Sequence, residues 1–384
     1  MSTNTLNPAA RRGPLHGVRI VEFRGIGPAP FAGMLLADMG AEILQVAPPG
    51  QAAQMPVPEH KDPIWRGRSR LALDLKQPAA RAALLDILPR VDIVIEGFRP
   101  GAMERMGLGP EQCLARNPAM VFGRMTGWGQ DGPLAQAPSH DPNCLAITGA
   151  LHSIGSADGA PVPPLNLVGD LGGGALYLAM GVLAALVHAR ASGQGQVVDA
   201  AMVDGVASLM GMVYAMRDHG IWSDQRGVNM LDGSCPFGSA YETADGKYMV
   251  AVSLEPPFYQ ALLKGLGLEQ EELPAQYDRA GWPVLRRRFA EVFKTRTRAE
   301  WTAILEHANA CVSPVLDMGE AVHHPHNQAR GVFVGGEHPV PAAAPRFGAT
   351  PTAHAAADLG PAAALLADWG VGKAEIALII GSSQ

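Results

Sequence analysis

The stretch GVRIVEF (17–23), followed by GIGPAPFAGMLLADMGA (25–41) and EILQVAP (42–48), decides the fold class. The first and third segments are short apolar runs typical of buried strands, whereas the middle segment is a turn followed by a helical pattern. A strand, a helix and a second strand within about 30 residues form the smallest unit of a parallel sheet. The stretch therefore predicts an α/β domain.

The same alternation continues along the chain. RLALDLK (70–76), VDIVIEG (91–97) and PAMVFGRMTGWG (118–129) have strand patterns, and PAARAALLDILPR (78–90) has apolar residues at helical spacing. Strands alternating with helices predict a doubly wound, Rossmann-like large domain. Because right-handed crossovers place the carboxyl ends of parallel strands at one edge, ligand loops are expected after Phe23, Glu96 and Met125.

The first of these loops, GIGPAP (25–30), occupies the position of a dinucleotide fingerprint but lacks its spacing of glycines. Three glycines at fixed offsets let the backbone approach a pyrophosphate, and here Pro28 and Pro30 occupy part of that span. We therefore expect a Rossmann-like domain without a dinucleotide.

The pattern of predicted secondary structure changes near Asp232. YETADGKYMVAVS (241–253) predicts a hairpin with Asp245-Gly246 at its turn, and helical patterns follow it. The predicted organisation is a disordered leader, a large α/β domain, a helical linker, a small α+β domain, and a Pro/Ala-rich return segment with the C-terminal part of the large domain. The corresponding ranges are 1–13, 14–200, 201–231, 232–333 and 334–384.

Composition narrows the function classes. The 384 residues are 47% hydrophobic and 17% charged with a net charge of −6, which is globular and argues against nucleic-acid binding. The four cysteines (113, 144, 235, 311) lie far apart, so neither a zinc knuckle nor a disulfide scaffold is expected. The apolar run 175–189 is shorter than the roughly 20 residues of a membrane span, so we expect a buried helix and no span. The N-terminus lacks the apolar region of a signal peptide, and we expect a cytoplasmic protein.

Arginines are concentrated in two predicted loops. Arg66, Arg68 and Arg70 belong to WRGRSR (65–70), and Arg99 and Arg105 belong to EGFRPGAMERMGLG (96–109). The guanidinium group donates two hydrogen bonds at a fixed geometry that suits phosphate. The clusters indicate either an anionic ligand or a solvated run of surface charge.

Three further side chains are candidates for acid–base chemistry. His140 follows a Gly/Pro-rich loop, and it is either a surface residue or a catalyst. Asp170 starts the helical pattern of NLVGDLGGGA (166–175), as an N-cap or as a functional carboxylate. The three glycines after it cost roughly 1 kcal/mol each relative to Ala in a helix, so close approach of a helix or a ligand is expected there. Glu242 lies on the predicted hairpin, where a carboxylate is usually solvated.

Several strings, in this order, resemble segments of the family III CoA-transferases (the CaiB/BaiF family). They include GPAPFAGMLLADMGAE, IEGFRPGAMERMGLG, RMTGWGQDGP, PPLNLVGDLGGG, SGQGQVVDAAMVDG and YETADGKYMVAV. The resemblance covers about residues 14–350, nearly the whole chain, and is greatest to the α-methylacyl-CoA racemase branch.

The resemblance implies an interlocked homodimer whose active site lies between the large domain of one subunit and the small domain of the other. His140 and Asp170 match the proton-transfer pair, and Glu242, from the partner chain, matches the carboxylate that orients the imidazole. The coenzyme A region matches eight residues: Arg66, Arg68, Gly97, Phe98, Arg99, Arg105, Gly127 and Asp141. Coenzyme A is part of the substrate, and no metal, redox group or other cofactor is expected.

The implied reaction is racemisation of a 2-methylacyl-CoA thioester. The protein would then be an isomerase of acyl-CoA and lipid metabolism. Inverting the α-carbon needs two bases of tunable pKa on opposite faces, a demand that a histidine and a half-buried carboxylate meet. The alternative is a CoA-transferase in which Asp170 attacks the acyl-CoA as a nucleophile. Transferases of the family generally lack the histidine, so His140 favours the racemase over the transferase and over a non-catalytic CoA-binding protein.

The sequence departs from the family pattern just after the second strand. The family often has an arginine there, whereas QVAPPG (45–50) has Gln45, Pro48 and Pro49. One anchor for the anionic end of coenzyme A is therefore missing, and either binding is weaker or an arginine of 66–70 substitutes. The identity of the acyl group is not encoded in any of these motifs.

Overall fold

A computed structural model describes residues 13–50, 62–352 and 360–381. The chain divides into two compact units, one of residues 1–150, 164–211 and 340–384, the other of residues 151–163 and 212–339. The predicted leader, 1–13, lies outside the described residues except for Gly13. Of the predicted linker 201–231, residues 201–211 cluster with the first unit and the remainder with the second.

The first unit is built on a six-stranded sheet in the order β3-β2-β1-β4-β5-β6, and all of its strand pairs are parallel. Val21, on the central strand, pairs with Leu44 on one side and Val94 on the other. The α/β prediction is therefore confirmed. The strands are β1 (Arg19–Phe23), β2 (Glu42–Ala47), β3 (Arg68–Ala72), β4 (Ile93–Glu96), β5 (Val121–Thr126) and β6 (Val197–Ala201).

Helices cover both faces of this sheet, which is why its central strands are apolar along most of their length. One face packs against α2 and the C-terminal helices, and the other against α1 and α6. The helices of this unit are α1 (Pro28–Asp38), α2 (Pro78–Ile87), α3 (Ala102–Arg105), α4 (Pro110–Arg116), α5 (Asp141–Ile147), α6 (Leu176–Ser192), α7 (Met202–Leu209), α14 (Ala362–Asp368) and α15 (Lys373–Gly381).

The apolar segment that we expected to form one α-helix has two parts. Residues Leu167–Ala175 form a π-helix, and α6 continues from Leu176 to Ser192 before ending at Gly193, which has a positive φ of 74°. The two parts together, Leu167–Ser192, are 26 residues long and contain an 18-residue window with a mean hydropathy of 1.7, enough by length and composition alone to cross a membrane. Core helices of soluble proteins meet the same criteria, and the expectation of no membrane span stays a prediction.

The second unit contains an antiparallel sheet in the order β7-β8-β9. Gly246, at the hairpin turn between β7 and β8, has a positive φ of 73°, as the Asp-Gly pattern predicts. A cluster of buried aromatic side chains, including Phe237, Tyr241, Phe289 and Trp301, packs beneath the sheet. The elements of this unit are β7 (Gly238–Glu242), β8 (Tyr248–Val252), β9 (Val312–Val315), α8 (Gly211–Asp218), α9 (Pro256–Leu266), α10 (Trp282–Phe293), α11 (Arg298–Leu305), α12 (Met318–Ala321), α13 (Pro325–Arg330) and β10 (Phe333–Val334). The short strand β11 (Val340–Pro341) begins the last segment of the first unit.

Candidate active site

The π-helix, Leu167–Ala175, carries Asp170 in its first turn. Its glycines allow α7 to lie against it. A Cβ on Gly205 would stand 1.9 Å from the carbonyl oxygen of Gly173, and a Cβ on Gly173 would stand 2.8 Å from the backbone nitrogen of Val206. At these positions the close approach that the glycines predict is made by another helix. The face of α7 that carries Gly205 thus packs against the π-helix whose first turn contains Asp170.

Helix α5 meets the same turn from the other side. Its first residue, Asp141, is buried, and its Oδ2 atom accepts hydrogen bonds from the backbone N–H groups of Gly169 (2.5 Å) and Asp170 (2.8 Å). Gly169 has no space for a side chain, because a Cβ there would stand 2.7 Å from the Asp141 carboxyl. The first turn of α5 and the first turn of the π-helix are therefore tied together.

His140 immediately precedes α5 as its N-cap residue, and its backbone N–H donates to Oδ1 of Asn143 at 2.9 Å. This bond fixes the backbone at the start of the helix, while the His140 side chain remains exposed. The charge of His140 is felt at Asp170, where it lowers the pKa. The structure thus places His140 and Asp141 at the start of α5, beside the turn that carries Asp170, and the proton-transfer roles expected of His140 and Asp170 stay predictions.

The carboxyl group of Asp170 is half-buried, and that burial raises its pKa above the usual range of an aspartate. Asn166 opposes this shift, since its Nδ2 donates to Oδ2 of Asp170 at 3.3 Å and favours the charged form. The negative charge of Asp141 raises the pKa further. A carboxyl group whose pKa is raised in this way is a better acid–base catalyst than a solvent-exposed aspartate.

The loop after β1 also reaches this site. An ideal Cβ on Gly27 would stand 3.5 Å from Oδ2 of Asp170, and Gly27 has a positive φ of 70°. The glycine therefore leaves the space beside the carboxyl group open, and any side chain there would be strained as well as close. Sequence reasoning assigned Gly27 only to a tight turn, although its place in the first strand-end loop pointed to this edge.

Gly127, expected in the coenzyme A region, has a packing role in the loop before His140. A Cβ on Gly127 would overlap Oγ of Ser139, at 1.7 Å. Its carbonyl oxygen accepts hydrogen bonds from the N–H of Val203 (3.1 Å) and from the thiol of Cys144 (3.4 Å). Burial raises the pKa of Cys144 to about 11, so this thiol stays protonated at neutral pH.

A cavity of about 1210 Å³ opens in the first unit at the carboxyl edge of β1 and β2. It is lined by Phe98 and Arg105, both expected to contact coenzyme A, and by Pro48 and Pro49. Three further cations line it that sequence reasoning did not single out, namely Arg24, Lys76 and Arg81. Position was the signal available for Arg24 and Lys76, because Arg24 directly follows one predicted strand and Lys76 is the last residue of another.

Arg66 and Arg68 differ from the expectation that they hold coenzyme A. Both are buried, Arg66 against Asp38 (2.5 Å) and Arg68 against Glu22 (2.8 Å). Arg68 also donates to the carbonyl oxygens of Ile64 and Arg66. Because their guanidinium groups form ion pairs inside the sheet layer, they stabilise the fold and are not presented to a phosphate.

The remaining expected residues lie in two places. Gly97 and Arg99 are exposed in the loop after β4, where the N–H of Phe98 donates to Oε2 of Glu96 at 2.7 Å. Glu242 belongs to the second unit, where it ends β7 and forms an ion pair with Lys294 at 2.7 Å. Its expected role in orienting the imidazole of another subunit stays a prediction.

Within residues 13–50, 62–352 and 360–381, no three His, Cys, Asp or Glu side chains come close enough to hold a metal ion. His324, from the histidine-rich segment 323–326, pairs with Glu306 at 2.9 Å near the start of α13. The expectation that the reaction needs no metal or other cofactor stays a prediction.

Comparison with known proteins bears on this site. Residues 15–363 match the model of the CoA-transferase family III. The chain is 44% identical to the alpha-methylacyl-CoA racemase of Mus musculus over 339 residues, 88% of this chain and 87% of that protein. It is 42% identical to the alpha-methylacyl-CoA racemase of Homo sapiens over 323 residues, 84% and 83% of the two chains. The crystal structure of Rv3272 from M. tuberculosis superposes with a TM-score of 0.75 at 26% identity, covering 89% of this chain and 95% of that one.

Proposed function

Because the chain belongs to CoA-transferase family III, we propose that it racemises 2-methylacyl-CoA thioesters, with one of Asp170 and His140 removing the α-proton and the other returning a proton to the opposite face. Two relatives that are 42–44% identical over most of the chain are named alpha-methylacyl-CoA racemases. The observation that carries the proposal is the cluster of His140, Asp141 and Asp170 at the meeting of α5 and the π-helix. It supplies an imidazole and a carboxyl group of raised pKa in one place.

The reaction needs one proton removed and one returned. For one epimer, the Asp170 carboxylate takes the α-proton, and the electrons of the C–H bond form an enolate with the thioester carbonyl. Protonated His140 then gives a proton to the opposite face of the same carbon, and the enolate collapses to the thioester. For the other epimer the roles of the two groups reverse. Each such group contributes a factor of about 10²–10⁴ to the rate.

The enolate oxygen needs hydrogen-bond donors that are already in place. The N–H groups of Gly169 and Asp170 are occupied by the Asp141 carboxylate, so the start of the π-helix does not supply these two. The N–H of Asp141 itself stands at the first position of α5, next to the imidazole. It is the donor that we assign to the enolate oxygen.

Coenzyme A is assigned to the cavity at the carboxyl edge of β1 and β2. Its cations suit the anionic phosphates, and Arg105 and Phe98 come from the loop and helix after β4. We assign Gly97, Arg99 and Gly127 to the part of coenzyme A between this cavity and Asp170. Lys76 and Arg81 stand in the same cavity as Pro48 and Pro49, where an arginine of the family is missing, and they supply the positive charge that we expect there.

We also propose that the protein is an interlocked homodimer in which Glu242 of one chain faces His140 of the other. One helix face supports this. Leu176, Met180 and Val187 of α6 are 51%, 60% and 72% exposed in the single chain, and their spacing puts them on one side of the helix. The dimer buries these side chains in this proposal. A cytoplasmic location, a role in lipid metabolism and a reaction without a cofactor complete it.

A CoA-transferase is the second candidate, because the same family model and the 31% identical probable fatty acyl-CoA transferase of Mycobacterium tuberculosis support it. In that reaction the Asp170 carboxylate attacks the thioester carbonyl and forms a mixed anhydride with the acyl group. The bond to sulfur breaks and coenzyme A leaves as the thiolate. His140 has no task in this route, whereas the two-base racemisation requires it.

One experiment separates the two. A single (2R)-2-methylacyl-CoA epimer is incubated with the protein in D₂O without an acceptor acid. Racemisation gives the other epimer with deuterium at the α-carbon. If deuterium is absent and an added carboxylic acid acquires coenzyme A, the protein is a transferase and the racemase proposal fails.

A further inference from the structure

Asp141 was expected among the residues that hold coenzyme A, but its surroundings point elsewhere. Its side chain is 2% exposed, and Oδ2 is used entirely by the N–H groups of Gly169 and Asp170. A carboxylate enclosed in this way has little surface to offer a large, anionic ligand. Its negative charge would also repel the phosphates of coenzyme A.

The second oxygen of the carboxyl group is equally informative. Oδ1 of Asp141 is buried and accepts no hydrogen bond from the described residues. A buried polar atom without a partner costs free energy, so such atoms in folded proteins call for an explanation. Because two N–H groups on one oxygen are the only donors that the described part of the chain offers, the charge of the carboxylate is poorly compensated, and its field reaches the neighbouring Asp170.

The connections are short. Asp141 follows His140 in the chain, and its side chain binds the N–H of Asp170 directly, at 2.8 Å. One residue thus joins the backbone that carries the imidazole to the backbone that carries the carboxyl group. The turn it holds is a π-helix, whose hydrogen bonds are less regular than those of an α-helix.

We propose that Asp141 is a positioning residue of the reaction, which fixes Asp170 relative to His140 and keeps negative charge beside the Asp170 carboxyl group. It touches neither the substrate nor coenzyme A through its side chain. The inference rests on the proposed function for the reaction that is measured, but the backbone bonds that carry it are independent of which reaction occurs.

Other ionisable groups lie on the elements around Asp170. His140 lowers the pKa of Asp170 and the charge of Asp141 raises it. Cys144, also on α5, is a neutral thiol. Helix α7 packs on the π-helix, and its one ionisable side chain, Asp204, is exposed. Asp38 of α1 is held by Arg66. Asp141 is thus the buried negative charge that faces Asp170.

The structural part is tested by hydrogen–deuterium exchange in full-length variants. Asp141→Ala removes the acceptor, so the amides of Gly169 and Asp170 should exchange at least about 10-fold faster in a peptide that covers 166–175. Asp141→Asn should keep their protection, because the amide oxygen accepts the same two bonds. Asp204→Ala and Asp204→Asn are the matched controls, and neither should alter exchange. Unchanged exchange in a folded Asp141→Ala would overturn the proposal.

The functional part is tested by kinetics of Asp141→Ala and of Asp141→Asn, which preserves the shape of the side chain and removes its charge. We expect kcat to fall about 10- to 100-fold in Asp141→Ala, which loses the two backbone bonds, since small misplacements of reacting groups have effects of this size. Asp141→Asn keeps these bonds, so its kcat should fall less and its pH profile should change. KM for the thioester and the dissociation constant of free coenzyme A should stay within about twofold. The carboxyl limb of the kcat–pH profile should move to lower pH, because a negative charge that raised the pKa of Asp170 is gone.

Each other result contradicts the proposal. Weaker binding of coenzyme A with unchanged kcat would make Asp141 a coenzyme A contact. A lower melting temperature with unchanged kcat and unchanged pH limb would make its role structural only. If the wild type transfers coenzyme A and does not racemise, the proposed function fails while the same measurements on the transfer reaction still decide the role of Asp141. If the wild type neither racemises nor transfers coenzyme A, the proposed function fails. The role of Asp141 in the reaction fails with it, because the inactive wild type has no activity for the variant to lose.

Discussion

The backbone N–H of Asp170 donates a hydrogen bond to the side chain of Asp141, at 2.8 Å, and Asp141 adjoins His140 in the chain. The two groups that we assign to proton transfer are therefore connected through one buried carboxylate. His140 and Asp170 are held in this way although neither lies on a long helix or strand. The seven residues of α5 and the first turn of the π-helix are sufficient to hold it.

The hydrogen bond from Asn166 to Asp170 gives a pH-dependent prediction. Asn166 favours the charged form of Asp170, so its loss in Asn166→Ala should raise the pKa of that carboxyl group. When Asp170 is the base, it must be deprotonated, and the acidic limb of the kcat–pH profile should move to higher pH. This is opposite to the shift expected for Asp141→Asn. A limb that stays in place, or moves to lower pH, would contradict the assignment.

The cavity at the carboxyl edge of the sheet gives a prediction for coenzyme A. Arg105→Gln and Lys76→Gln should each raise KM for the thioester about 10-fold, because each removes a charged donor for a phosphate. The matched control is Arg116→Gln, an exposed arginine of the same unit paired with Asp86. Isothermal titration measures the matching change in the dissociation constant of free coenzyme A for each variant. Equal affinities in all three variants would place coenzyme A elsewhere.

The contact between the π-helix and α7 gives a prediction for stability. In Gly205→Ala the added methyl group would stand 1.9 Å from the carbonyl oxygen of Gly173, so the two segments must separate. We expect the free energy of unfolding to fall by about 1–3 kcal/mol, as for other overpacked sites. Gly211→Ala, with open space around the new atom, should cause no such loss. Denaturant titration measures both, and similar losses would argue against the close packing.

The ion pair between Arg68 and Glu22 gives a fourth prediction. Arg68→Met leaves a buried carboxylate without its partner, which costs about 3–5 kcal/mol of folding free energy. The double variant Arg68→Met/Glu22→Gln should regain part of the loss, and Arg70→Met, at an exposed position, should change little. The folded Arg68→Met protein should bind coenzyme A as the wild type does. A selective loss of that affinity would restore Arg68 to the coenzyme A site.

Much of the fold could be predicted from the sequence. The strand–helix–strand pattern of 17–48 and the apolar runs that follow it predicted the parallel sheet, and YETADGKYMVAVS predicted the hairpin of the second unit. Both predictions depend on local periodicity and turn chemistry, which a short window of sequence contains. The bounds of single strands were predicted less accurately. The third strand was expected over 70–76, whereas β3 runs from Arg68 to Ala72.

The site was predicted unevenly. Its chemistry-bearing residues, His140 and Asp170, stood out through the resemblance. His140 follows the loop expected after Met125, whereas Asp170 lies in the first turn of the π-helix, near Gly27 of the loop expected after Phe23. The partners of Arg66 and Arg68 could not be predicted, because burial against Asp38 and Glu22 depends on side chains 28 and 46 residues away. The bonds from Asp141 to the backbone of the π-helix likewise join distant segments. Residue type identified these groups, but only tertiary contacts separate an arginine that binds a ligand from one that binds a carboxylate.

The most direct test of the account measures α-proton exchange in D₂O on one 2-methylacyl-CoA epimer, with wild type, His140→Ala and Asp170→Asn side by side. The account predicts epimerisation with α-deuterium in the wild type and a loss of at least about 10²-fold in each variant, since each removes one of the two proton-transfer groups. Undiminished epimerisation by a folded His140→Ala, or coenzyme A transfer without any α-deuterium in the wild type, would contradict it.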